Sequence, residues 1–163
     1  MIKKIHIYVA CVALLAGVAM ALAWGVRGDA PRLLTLVSFC FVAFLLDRSP
    51  SSLRVNAAGS TSFVVHLAAG ILFGAFWGGV VTGASITVGL ITRRLAFPKT
   101  VFNVAQRVLS LVLGVLLYQV VFGGHVPPSY LIAGQVSSVD VQRDLFLFFL
   151  VAAIYVLTLP PAT

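Results

Sequence analysis

The sequence predicts an all-α integral membrane protein of about six transmembrane helices, two of them short and joined by a tight glycine-rich turn. Three observations carry this reading. The chain is 61% hydrophobic and 9% charged, with a mean hydropathy of +1.10, whereas a soluble domain carries roughly 25% charged residues. Apolar stretches of spanning or near-spanning length follow one another with only short charged or Pro/Gly-bearing breaks. The basic residues mark the ends of those stretches, as topological anchors do. At 163 residues the chain suits a single domain, read as one transmembrane unit over 1–163.

The elements follow in order. After Lys3 and Lys4, the segment 5–25 is long enough to cross a ~30 Å hydrocarbon core. It also carries Ala21-Leu22-Ala23, which resembles a signal-peptide cleavage site; a retained helix is the preferred reading. The segment 33–46 is shorter, bounded by Arg32 and by Asp47-Arg48. Pro50 and the neighbouring serines then favour a loop. The apolar run 61–92 is too long for one ordinary span, and Gly74, Gly78 and Gly79 sit at its middle. Two short helices, 62–73 and 76–92, with a tight turn between them are expected; one long tilted helix is the alternative. Pro98 opens the next helix, 99–122, where its missing N–H costs nothing. A connection containing Pro127-Pro128 leads to a last helix over 145–159, ended by Pro160-Pro161.

Charge placement tests this arrangement. With the N-terminus inside, Lys3, Lys4, Arg48, Arg54, Arg93, Arg94 and Lys99 lie on the cytoplasmic side, and Arg27, Arg32 and Arg143 lie outside. Seven against three agrees with the positive-inside rule. A single helix over 61–92 would export the Arg93-Arg94-Lys99 cluster. The expectation is a multi-pass protein with both termini cytoplasmic. The net charge of +7 therefore reflects membrane anchoring, and nucleic-acid binding is not expected.

Polar residues inside the apolar stretches are the candidate site. Asn103, Gln106, Arg107, Ser110, Gly114 and Tyr118 recur at spacings of three and four and share one helix face. Arg107 near mid-membrane costs about 2.5–3.5 kcal/mol on insertion scales, partly relieved by snorkelling. That face either hydrogen-bonds neighbouring helices or lines a polar ligand pocket. His66 lies within an apolar helix and is read as a hydrogen-bonded core residue. Gly70, Gly74, Gly78, Gly79 and Gly83 form a small-residue row that serves close helix packing or the turn, with a ligand-lined cleft as the rarer alternative. Cys11 and Cys40 have no partner at metal or redox spacing and read as small hydrophobes. No Walker loop, GxSxG, HExxH or haem-attachment pattern occurs, so no catalytic residue, metal site or cofactor is expected.

Ser62-Phe63 before an apolar run, Leu72-Phe73-Gly74 at the turn, Arg93-Arg94, and Lys99-Thr100-Val101-Phe102-Asn103-Val104-Ala105-Gln106 form a series. This series resembles the N-terminal membrane region of bacterial HD-domain phosphohydrolases and related signalling proteins. There a similar K-x-x-F-N-x-A-Q opens a helix ending near a Tyr and a Gly, here Tyr118 and Gly123-Gly124. The family's metal-dependent phosphohydrolase domain follows its last helix, whereas this sequence stops at Thr163. The resemblance thus implies a non-catalytic membrane sensor or anchor in the bacterial cytoplasmic (inner) membrane. Paired short helices around Gly74-Ala75-Phe76-Trp77-Gly78 are also similar to substrate-binding components of energy-coupling-factor vitamin transporters. That likeness implies a small-molecule-binding transporter component, and a structural accessory subunit of a larger membrane assembly is the third reading. The expected partners are the lipid bilayer, other membrane subunits and a small-molecule ligand.

Overall fold

The structure, a computed structural model, describes residues 2–27, 29–48, 62–92 and 96–121, together with Gln142, Phe146 and Leu150. Four α-helices account for most of them: α1 (Ile2–Gly25), α2 (Leu33–Arg48), α3 (Ser62–Thr92) and α4 (Phe97–Leu116). One π-helical turn, Leu117–Val121, continues α4. No strand occurs among the described residues. The local reasons are simple. No proline interrupts α1, and past Gly25 the chain closes a turn from Arg27 N–H to Trp24 O. Pro31 precedes α2, whose first bonds run from Thr35 and Leu36 N–H to the Arg32 carbonyl. Pro98 sits in the first turn of α4, and Thr100 N–H bonds the Ala96 carbonyl at 3.0 Å.

By length and composition, three helical stretches can cross a membrane: His6–Gly25, Ser62–Thr92 and Phe97–Val120. Leu33–Asp47 is apolar but shorter. The middle stretch does not run straight. Gly74 has φ 87° and ψ 173°, a region essentially reserved for glycine, and the chain reverses there. A Cβ built on Gly78 would lie 2.5 Å from Gly70 Cα, although residues eight apart on a straight helix are about 12 Å apart. His66 likewise reaches Ser85 at 2.9 Å. α3 is a helical hairpin with a first arm, 62–73, and a second arm, 75–92.

Six spans are not supported among the described residues. The described residues form four helices, and the first arm rises only about 18 Å at 1.5 Å per residue, short of the ~30 Å core. The turn anticipated within 61–92 is present at Gly74, but the first arm is too short to be a full span. α4 begins at Phe97 rather than at residue 99, and its regular helix gives way at Leu117 to the wider π turn. The connection 123–143 lies outside the described residues apart from Gln142, as does the expected helix 145–159 apart from Phe146 and Leu150. Those three positions are helical, and Leu150 packs against the core.

The hairpin is the central element. Both α2 and α4 pack on it, while α1 packs chiefly on α4. Glycine determines how closely α4 approaches: Gly70 faces Leu111 and Val115, Gly79 faces Val112, and Gly83 faces Val108. The Gly79–Val112 and Gly83–Val108 pairs make the second arm and α4 antiparallel. α1 turns a stripe of alanines inward, with Ala16, Ala19 and Ala23 all buried; their spacing of three and four serves close packing in lipid as a glycine row does. α2 contributes Phe39 edge-on to Phe73 and Asp47 beside Ser62 and Gly89. Trp24 meets Phe76 just past the hairpin turn, and the Arg27 guanidinium lies over the Trp24 ring. The outward positions of α1 and α2 are large and apolar, among them Leu14, Val18, Leu22, Leu34, Val37 and Phe41.

Gly17 gives an internal contrast. A Cβ there would meet nothing within 4 Å, so Gly17→Ala is expected to leave stability unchanged or raise it by up to about 1 kcal/mol. Unfolding by SDS titration in mixed micelles checks this; a clear loss would show that α1 packs differently at that turn.

Candidate functional site

Asp47, Ser62, His66, Thr82, Ser85 and Arg107 form a polar core within this apolar bundle. The hairpin brings Ser62, His66, Thr82 and Ser85 together, since mirror positions about Gly74 face one another, and Asp47 joins them from α2. Ser62 donates its hydroxyl to Asp47 Oδ1 at 2.8 Å, binding the end of α2 to the start of the first arm. One turn deeper, the fully buried His66 ring meets Ser85 Oγ at 2.9 Å. Ser85 has one hydroxyl proton and gives it to the Thr82 carbonyl at 3.2 Å. At His66 the same hydroxyl therefore accepts, and this pattern assigns the Nε2–H form of the ring. The pair is a hydrogen-bonded strut between the two arms.

Arg107 enters from α4. Its charge and that of Asp47 both act electrostatically on His66, which places the three groups in one neighbourhood. Arg107 Nη1 is buried without a hydrogen-bond partner, and so is Thr82 Oγ1. Thr82 is completely buried, and its behaviour is unusual for this chain. Ser38, Thr87, Thr92, Thr100 and Ser110 each return their hydroxyl to the carbonyl four residues back, the common solution for a helical hydroxyl. Thr82 does not.

The other residues singled out in the sequence are placed as follows. Ser110 is buried and donates to the Gln106 carbonyl at 2.9 Å. Tyr118 belongs to the apolar core with Leu111 and Val115. Asn103 and Gln106 are half-buried on α4, and Gln106 Oε1 is itself buried. Gly74 makes the turn, while Gly70, Gly78, Gly79 and Gly83 lie at close helix contacts. The α4 face is thus divided: Arg107 sits beside the hairpin's polar core, and Tyr118 joins the apolar part.

Sequence reasoning did not single out Asp47, Ser62, Thr82 and Ser85 as site residues. Serine and threonine are ordinary in membrane helices, and Asp47 looked like a helix-end charge. The signal lay in the hairpin itself. A reversal near Gly74 makes position 66 face the region 82–85, which holds two hydroxyl side chains. No protein-family model, curated protein or solved structure matches the chain.

Proposed function

We propose that this chain is a non-catalytic membrane module that senses a small ligand or state and anchors a signalling partner. The carrying observation is the polar core gathered where α2, the hairpin and α4 meet, with His66, Thr82 and Ser85 buried, in a bundle whose exterior is apolar. Ionisable groups at membrane depth are costly and usually mark function, and a structural role alone would not require a buried Arg107 nitrogen without a partner. The resemblance to the membrane region of bacterial signalling phosphohydrolases agrees with this reading. The orphaned donors also favour the second reading, a ligand-binding transporter component.

Topology belongs to the same proposal. The Tyr8–Phe102 ring contact and the Asp47–Ser62 bond gather the start of α1, the end of α2, the hairpin's open end and the start of α4. The sequence places Lys3, Lys4, Arg48, Arg54, Arg93, Arg94 and Lys99 next to these ends. We assign that end to the cytoplasm of a bacterial inner membrane by the positive-inside rule. The assignment needs only that the hairpin reverse, not that its arms span.

A C-terminal fusion to a cytoplasmic reporter enzyme tests the sensing role. His66→Leu and Arg107→Gln are expected to change reporter output severalfold at equal membrane abundance. Output that follows abundance alone would remove the sensor and leave an anchor. Stoichiometric co-purifying membrane subunits, with output unaffected, would point to an accessory subunit.

A further inference from the structure

We infer that the seam between the hairpin and α4 binds a small anionic group, a carboxylate or a phosphate, through Arg107 Nη1 and Thr82 Oγ1. The inference deepens the sensor reading and rests on it for its biological meaning.

The geometry of the seam makes these donors neighbours. Gly83 and Val108 touch across it, with a Gly83 Cβ only 3.4 Å from Val108 Cγ2. Thr82 and Arg107 each immediately precede one member of that pair. Because the second arm and α4 are antiparallel, a step back along each right-handed helix turns both side chains to the same side of the seam. Leu111, three residues after Val108, lies on that side too, and it is there that the first arm packs through Gly70. His66 is one turn from Gly70 on that arm. Thr82 and Arg107 therefore face a junction of three helices, with the His66–Ser85 strut beside it.

The chemistry of the junction favours an anion. The two unpartnered groups are a cation and a hydroxyl, both hydrogen-bond donors. Arg107 has no ion pair among the described residues, and Asp47 is already engaged by Ser62. A guanidinium nitrogen shielded from water attracts an oxyanion strongly, and its planar fork suits carboxylate and phosphate oxygens. Asp47 lies in the same neighbourhood but makes no ion pair with Arg107 among the described residues, so a neutral ligand would leave the guanidinium without a direct counter-charge. One carboxylate or phosphate head is the simplest group whose oxygens meet both donors. That head could be a free anion or belong to a lipid entering along α4.

The whole chain in nanodiscs tests this, with inorganic phosphate, acetate and phosphatidylglycerol as probes and the thermal unfolding midpoint as readout. Phosphate or acetate is expected to raise the midpoint in purely phosphatidylcholine discs if the anion is soluble. A rise confined to discs containing phosphatidylglycerol identifies a lipid head instead. In either case Thr82→Val should weaken apparent binding about tenfold, the loss of one hydrogen bond to a charged group. Thr82→Ser should restore it, and Arg107→Gln should remove it. Absence of any shift, or a shift surviving in both Thr82→Val and Arg107→Gln, overturns the inference and leaves two groups satisfied by water. The two proposals fail separately. Altered reporter output in His66→Leu without anion dependence spares the sensor reading alone, whereas anion binding with unchanged output spares the site alone.

Discussion

Gly78→Ala is expected to be among the most damaging single substitutions in this chain. The added methyl carbon would lie 2.5 Å from Gly70 Cα and 2.8 Å from Gly70 N. Both are backbone atoms, so no rotamer change relieves the clash; the arms must separate or the turn at Gly74 must deform. Overpacking in a well-filled core costs about 1–3 kcal/mol and occasionally more, and a backbone-to-backbone clash belongs at the upper end. Separation of the arms would also break the His66–Ser85 bond four to seven residues further along. Gly79→Ala makes the useful comparison, because the nearest atom is Met20 Sδ at 2.5 Å, the end of a flexible side chain that can move away. Val112 Cγ2 at 2.8 Å still resists, so Gly79→Ala should fall between Gly78→Ala and the neutral Gly17→Ala. SDS-titrated unfolding of the three variants should give that order. Equal losses at positions 17 and 78 would be incompatible with a hairpin reversing at Gly74.

The second large effect is expected at the strut between the arms. Ser85→Ala takes the acceptor from a fully buried His66 N–H, and a buried donor left without its partner costs about 1–3 kcal/mol. The pair is better measured by a double-mutant cycle, in which His66→Leu and Ser85→Ala are made singly and together. Interhelical hydrogen bonds in membranes couple by about 0.6 kcal/mol on average and by at most about 1.7 kcal/mol. The His66–Ser85 coupling should lie towards the top of that range because both residues are sealed from lipid and water. Strictly additive losses would show that the 2.9 Å contact contributes nothing net, and that the two arms are held by packing alone.

These two sites also show why parts of the architecture could be read from the chain and parts could not. The apolar helical character follows from composition, with stretches long and apolar enough to cross a membrane and few charged residues between them. The end of α1, both ends of α2 and the start of α4 follow to within a residue or two from Gly25, Arg32, Asp47-Arg48 and Pro98, where chain chemistry and helix termination coincide locally. The reversal within 61–92 was legible too, since glycines at its centre and cations at its far end both favour a hairpin. Arg107 and His66 stood out because ionisable groups are conspicuous among apolar neighbours.

Their surroundings were not legible in the same way. Ser62, Thr82 and Ser85 carry no individual signal, for a hydroxyl in a helix ordinarily bonds its own backbone, as Thr87 does with Gly83. Tyr118 shares the helix face of Arg107 by spacing yet lies in the apolar core with Leu111 and Val115. The alanine stripe of α1 gave no warning either: Ala16, Ala19 and Ala23 are buried because α4 lies against them, not because alanine is more apolar than the exposed Leu14 and Leu22.

The sequence by itself determined that this chain is helical, with stretches apolar enough to cross a membrane, that the glycines within 61–92 favour a reversal, and that ionisable groups sit among apolar neighbours. Each of those is a local or summed property: hydropathy over a window, a backbone conformation reserved for glycine, a charge out of place. Only the tertiary structure decided that Asp47, Ser62, His66, Ser85, Thr82 and Arg107 meet, and that two donors among them lack partners. Those facts depend on which helix faces come together. In lipid that choice rests on how closely small residues let backbones approach, a relation between distant positions that no single stretch of sequence contains.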